Sequence, residues 1–271
     1  MQRTVPYVFI DRPEDADLAA HQPNIDGLAA AVAAFDDQLT VLPVHIRELV
    51  DLDAHAFVRR FHPFAVFGAG SFTEWFQYGA DPAWRAVVDP YLALLRTLRT
   101  PMLAVCGSHQ LLAAAVHGFS AIAHMNDAGD PVRISDELAT DPPAPRFPDP
   151  RVGEVGTYPI ALTAAGARDG LASTFAGEPL WASLHHKDMV VDTRRARLLF
   201  THDDSREPRT NAGELAQRRC AVQGLHYKGR PMWSTQFHPE IGCFSEGTSD
   251  DGGFGRRFLV AFLHAARRHH A

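Results

Sequence analysis

Cysteine is scarce in this 271-residue chain, which carries Cys106, Cys220 and Cys243 and no others. Three thiols cannot build a disulfide framework, and the pattern fits a reducing compartment. Long apolar runs are missing as well. No stretch approaches the roughly 18 apolar residues of a membrane helix, and the short apolar run at the N-terminus soon reaches Asp11 and Glu14. A cytoplasmic protein that does not enter membranes is therefore expected. Basic clusters are confined to short pairs such as Arg194-Arg195 and Arg267-Arg268, within a net charge of −6, so nucleic acid is not expected as a partner. No Gly-x-x-x-x-Gly-Lys loop occurs, which excludes a nucleotide-binding half of that type. The 15 histidines invite a metal reading, but His185-His186 with Asp188 lacks a further ligand at metal spacing. His269-His270 reads as a solvated tail, and neither metal nor cofactor is expected.

What is present is a substantial apolar fraction, 46% of residues, enough for the whole chain, 1–271, to form one large domain. No linker divides it. Apolar runs at 5–10, 39–45, 64–67 and 102–105 read as buried strands, and amphipathic stretches at 24–37, 81–98 and 254–266 as helices. This alternation predicts an α/β fold, a mostly parallel open sheet with helices on both faces. In such sheets active sites gather at the carboxyl ends of the strands. Six prolines between residues 131 and 150, mixed with acidic residues, predict a loop insertion at about 126–151. A second polar stretch, 244–253, follows the last strand.

The chemistry starts at Cys106. An apolar strand, Met-Leu-Ala-Val, runs straight into Cys106-Gly-Ser-His-Gln110 and then into a helical Leu-Leu-Ala-Ala-Ala. A sharp strand-to-helix turn of this kind pushes a nucleophile out of the sheet edge and sets it beside the free N–H groups of a helix start. Far downstream stands Phe-His238-Pro-Glu240. In extended chain, residues two apart face the same side, so Glu240 can hold the imidazole while His238 meets the sulfur. A Cys106–His238–Glu240 triad is the expectation.

On these residues the chain resembles the class I, triad-type glutamine amidotransferases, in particular the glutaminase domain of GMP-synthase-like members. That family has a Gly-x-Cys-x-Gly-x-Gln elbow and a Phe-His-Pro-Glu box. The second is matched letter for letter, whereas the first carries Ala104 and Ser108 in place of its two glycines and keeps Cys106 and Gln110. Further correspondences are Phe-Gly-Ala-Gly70-Ser-Phe, the segment 153–163, and His186-Lys-Asp188-Met-Val. The resemblance runs from about residue 5 to residue 263. It implies a flavodoxin-like sheet, an oxyanion hole from the Gly70 and Gly107 N–H groups, and contacts of Gln110, His186 and Asp188 with the amino-acid end of the substrate.

By the same resemblance, the expected activity is hydrolysis of glutamine through a thioester, with the ammonia passed to a separate synthase subunit. Alternatively, a γ-glutamyl hydrolase acting on γ-glutamyl amides would use the same triad and no partner. A non-catalytic binding or regulatory relative is the third alternative, and it has to account for the intact triad.

Overall fold

The computed structural model describes residues 3–11, 17–71, 81–125, 131–135, 154–186, 188–207, 210–211, 220–241 and 253–270. Strands β1 (Arg3–Phe9), β2 (Leu39–His45), β3 (Val66–Gly68), β4 (Met102–Val105) and β13 (Met232–Thr235) form the parallel half of one sheet, in the order β2-β1-β3-β4-β13. The α/β sheet expected from the alternation is thus formed. Beyond β13 the sheet continues antiparallel through β12 (Gly224–Tyr227), β10 (Ala196–His202) and β7 (Glu154–Leu162), with β8 (Leu180–His186) and β11 (Thr210–Asn211) both paired to β7. A small second sheet joins β5 (Ile122–Met125), β6 (Pro131–Arg133) and β9 (Asp188–Val190).

Alternation along the central strands splits the interior into two cores. Val8 on β1 and Met102 and Ala104 on β4 face one core, with Phe57 and Phe61 of α2 (Ala54–Phe61), Trp84 to Leu95 of α3 (Pro82–Thr97) and Leu111 and Leu112 of α4 (Gly107–His117). Val5, Tyr7 and Phe9 on β1, with Leu103 and Val105 on β4, face the other core, built from Ile25, Leu28 and Val32 of α1 (Leu18–Phe35) and from Phe254, Phe258 and Phe262 of α5 (Phe254–His270). Strands covered on both faces must be apolar at every position, which is why they read as uninterrupted runs. The starts of α1, α2 and α3 are capped by aspartates: Asp17 accepts from the Ala19 N–H, Asp53 accepts from Ala56, and Asp81 accepts from the Ala83 and Trp84 N–H groups with Pro82 in the first turn. Each such cap contributes about 1 kcal/mol.

Three elements differ from the sequence expectation. Helix α1 starts at Leu18, six residues before the expected 24, because Asp17 caps it and buried His21 ties its start to Asp11 at 2.6 Å despite Pro23. Helix α5 runs on to His270, so the tail is not simply solvated: Arg267 pairs with Asp36 at 2.9 Å, and His270 Nε2 donates to the Phe64 carbonyl at 2.7 Å. Residues 131–133, expected inside a loop, pair with β5. Of the expected insertion, residues 126–130 and 136–151 lie outside the described residues, as do 244–252 of the second polar stretch.

The departure of the elbow from the family pattern is accommodated by its neighbour. A methyl group on Gly68 would stand 2.7 Å from Ser108 Oγ, 2.8 Å from Ser108 Cβ and 2.8 Å from Met102 Cε. The space denied to Gly68 is the space Ser108 fills. Gly68→Ala should therefore overpack the site and cost about 1–3 kcal/mol, and adding Ser108→Gly should recover part of that loss. Urea denaturation of the two single variants and the double variant tests the coupling; strictly additive changes would contradict it.

Candidate active site

Strands β4 and β13 lie side by side and parallel, with Val105 opposite Thr235. Both chains leave the sheet at the same carboxyl edge, so Cys106 and His238 meet there across 132 positions of sequence, the difference of their numbers. The Cys106 N–H donates to the Thr235 carbonyl at 2.8 Å, fixing the elbow to the strand that delivers the histidine. Cys106 itself has φ 49° and ψ −109°, a left-handed backbone that a residue with a Cβ avoids. Such strain costs on the order of 1–3 kcal/mol and persists only where the surroundings enforce it. Here they are the sheet pairing and the start of α4. The side chain is buried, and its thiol lies 3.6 Å from the His185 carbonyl as donor.

His238 is placed by its backbone and its ring together. Its N–H donates to the Ser183 carbonyl at 2.9 Å, and Nδ1 meets Glu240 Oε1 at 2.7 Å. That contact assigns the Nδ1 proton to the carboxylate side and turns Nε2 the other way. Burial works against the charged ring, but Glu240 and the Cys106 sulfur outweigh it and hold the proton affinity of His238 well above the ordinary histidine range. Glu240 is fully buried, and its Oε2 makes no hydrogen bond among the described residues.

The loop after β3 closes over this pair. A methyl on Gly70 would touch His238 Cε1 at 3.0 Å, Cys106 Cβ at 3.5 Å and His238 Nε2 at 3.8 Å, so ring and nucleophile flank one point. A Cβ there would force the His238 ring to shift by a few tenths of an ångström, which glycine avoids. Gly107 sits on the far side of the elbow, where a Cβ would meet Ser71 Cβ at 2.8 Å. The loop is pinned by the Ala69 N–H donating to Val8 at 2.8 Å and the Ser108 N–H donating to Ala69 at 3.2 Å.

The remaining sequence candidates form a buried layer behind the sulfur. Gln110 Nε2 donates to the Asp188 carbonyl at 2.7 Å and to Gln236 Oε1 at 3.3 Å. His186 Nδ1 lies 3.0 Å from the Asp188 carbonyl, and its Nε2 lies 2.9 Å from Glu154 Oε2. Thus Gln110, His186 and Asp188 come together, tying α4 to the junction of β8 and β9, directly after the His185 carbonyl that faces Cys106. Sequence reading missed Glu154, His202 and Gln223, which share this layer: Gln223 Nε2 donates to Glu154 at 3.2 Å, and His202 Nδ1 is 3.8 Å from it. A glutamate and a histidine inside otherwise apolar strands were the available signal. His109, fully buried, is pushed down to about 3 by burial first and by His186 second, and stays neutral with Nδ1 2.7 Å from Ser234 Oγ. Among the described residues no group of His, Cys, Asp and Glu is arranged to hold a metal ion, and no helix is long and apolar enough to cross a membrane.

Known proteins share this fold. No curated protein matches the chain significantly. Among solved structures, a putative GMP synthase subunit from Thermoplasma acidophilum is 13% identical with a TM-score of 0.57, covering 100% of this chain and 96% of its own. A glutamine amidotransferase from Thermotoga maritima is 12% identical with a TM-score of 0.59, covering 97% of each chain. The Trypanosoma brucei CTPS glutaminase domain, solved with bound acivicin, is 15% identical with a TM-score of 0.60, covering 98% of this chain and 94% of its own. At these identities the likeness is one of fold. The "Glutamine amidotransferase class-I" family profile matches residues 82–249, more than half of the chain and a span that includes both the Cys106 elbow and the His238 box, and the chain belongs to that family.

Proposed function

We propose that this chain, read as one amidotransferase-like domain over 1–271, hydrolyses glutamine at Cys106 and supplies the ammonia to a separate synthase subunit. The observation that carries the reading is the convergence of a strained cysteine at a strand-to-helix turn with a buried His238–Glu240 pair just past the end of the neighbouring parallel strand. Two of the similar folds are described as a CTPS glutaminase domain and a putative GMP synthase subunit, which supports a synthase as the partner.

In this reading the Cys106 sulfur attacks the side-chain carbonyl carbon of glutamine, and its proton passes to His238 Nε2. Gly70 and Gly107 N–H groups hold the oxyanion of the tetrahedral intermediate. Collapse breaks the C–N bond as His238 returns the proton to the leaving nitrogen, giving ammonia and a γ-glutamyl thioester on Cys106. Water, deprotonated by His238, then opens the thioester to glutamate and free thiol. Glu240 keeps the imidazole oriented and supports its charged form. Gln110, His186 and Asp188 contact the substrate's amino-acid end in this reading, as the family resemblance implies.

Cys106→Ala should reduce glutamate release from glutamine to background, His238→Ala should cost about as much, and Glu240→Ala less, since an orienting group carries only part of the unit. Parental turnover in His238→Ala would overturn the assignment. The electrostatics give an independent check. Because His238 holds its proton more tightly folded than unfolded, its stabilising contribution is complete below the unfolded histidine value of about 6.5 and is lost as pH rises through the higher folded value. Glu240→Gln removes the charge that sustains this, so the NMR titration of the His238 ring should move to lower pH; an unmoved titration would contradict the pairing. Finally, the purified chain should release glutamate slowly from glutamine and faster once its synthase is added. Rapid cleavage of other γ-glutamyl amides by the chain alone, with glutamine ignored, would instead identify a γ-glutamyl hydrolase.

A further inference from the structure

Beside the elbow lies a second buried polar chain that the proposed mechanism leaves unused. Asp11, just past the end of β1, is fully buried, and its Oδ2 meets His21 Nε2 at 2.6 Å. That short contact assigns the His21 proton to Nε2, so Nδ1 accepts, and the Tyr7 hydroxyl stands 3.1 Å from it. Tyr7 also interacts with the Asn24 side chain, and its hydroxyl is kept protonated by burial first and by the nearby Glu240 carboxylate second. The Asp11 backbone is held too. His45 Nε2 donates to the Asp11 carbonyl at 2.9 Å, with His45 Nδ1 accepting from the Arg47 N–H at 3.3 Å. Burial keeps His45 below the ordinary histidine range and hence neutral.

Interring a carboxylate and two imidazoles in this way is costly unless each finds a partner. Joining the first turn of α1 to β1 would be met by the His21–Asp11 contact alone. The network does more, because the other carboxylate oxygen, Asp11 Oδ1, reaches Ser71 Oγ at 3.5 Å. Ser71 follows Gly70 directly, and its backbone N lies 2.9 Å from the position a Gly107 Cβ would take. One residue therefore touches both sides of the point where the oxyanion would form. On its β3 side the loop is held by the backbone bonds of Ala69, and on its Ser71 side by Asp11.

We infer that Asp11 and His21 are positioning residues for the oxyanion loop, holding Ser71 so that the Gly70 and Gly107 N–H groups stay aimed at the reacting carbonyl. The inference rests on the proposed role of Cys106 and of those two amides. The Ser71 hydroxyl donates to Asp11 Oδ1 across 3.5 Å, a long contact of the kind catalytic hydrogen bonds show in the absence of substrate.

The test separates an oxyanion effect from a nucleophile effect. Glutamate formation from glutamine in a single turnover needs the oxyanion hole, whereas alkylation of Cys106 by iodoacetamide is a displacement at saturated carbon and does not. Asp11→Asn and His21→Leu should slow glutamate formation by about 10- to 100-fold, the scale of a small misplacement of reacting groups. Half-saturating glutamine should stay within about threefold and the alkylation rate within about twofold, as expected when an interaction made only in the transition state is lost. His21→Gln, which can present an amide N–H where Nε2 stood, should restore most of the rate. Should His21→Leu not fold, Ser71→Ala removes the last link from a half-exposed position and should show the same split. Parental glutamate formation in Asp11→Asn and Ser71→Ala, or alkylation falling in step with turnover, would overturn the inference. A parent chain that forms no glutamate and is not alkylated at Cys106 would instead refute the reading on which it rests.

Discussion

The pairing of β4 with β13 is the constraint on which the rest of the site depends. Registered parallel strands release their chains at a common edge, and Val105 opposite Thr235 puts the cysteine turn and the histidine box at adjacent exits. The Cys106 N–H bond to Thr235 then continues the ladder one step into the turn. A one-residue slip would turn Leu103 and Val105 toward the wrong core and separate the two reactive side chains. Two apolar cores, one on each face, oppose that slip at every strand position.

Polar side chains are also buried close to this edge. Glu240, Glu154, Asp11, His109 and His21 are all nearly inaccessible to water. Glu240 is held by the neighbouring His238, and the other four are held by partners from separate elements: β7 with β8, α4 with β13, β1 with α1. The contacts that satisfy these groups therefore also orient the elements. His238 shows the balance most clearly, since desolvation alone would favour its neutral ring and the flanking Glu240 and Cys106 reverse the preference.

Much of this was legible in the sequence because it is local. The Cys106 elbow, the two-residue spacing of His238 and Glu240, and the strand and helix alternation of the first hundred residues are written in short windows. The antiparallel half was harder, since β7, β8, β10 and β12 are partly exposed strands that pair over long separations. The first turn of α1 was hidden because Pro23 reads as a helix boundary, and what overrides it is the distant Asp11. Gln110, His186 and Asp188 were recognised as belonging together, but that Gln110 and His186 converge on the Asp188 main chain follows from tertiary placement alone. Ser108 departs from the glycine of the elbow pattern, and the space left open beside Gly68 explains how it fits.

The two ends of the described chain meet at a single ring. Arg3 stacks over Phe64 at 4.9 Å, and the His270 ring lies 5.4 Å from the same phenylalanine while donating to its carbonyl. Phe64 precedes β3, at the amino-terminal edge of the parallel strands, whereas Cys106 follows β4 at the carboxyl edge. With β1 seven residues long, about 20 Å of sheet separates the two edges. A tether, tag or fused domain attached at either end would leave from the face of the molecule opposite the reactive sulfur, and joining the ends to each other would require only a short bridge on that same remote face.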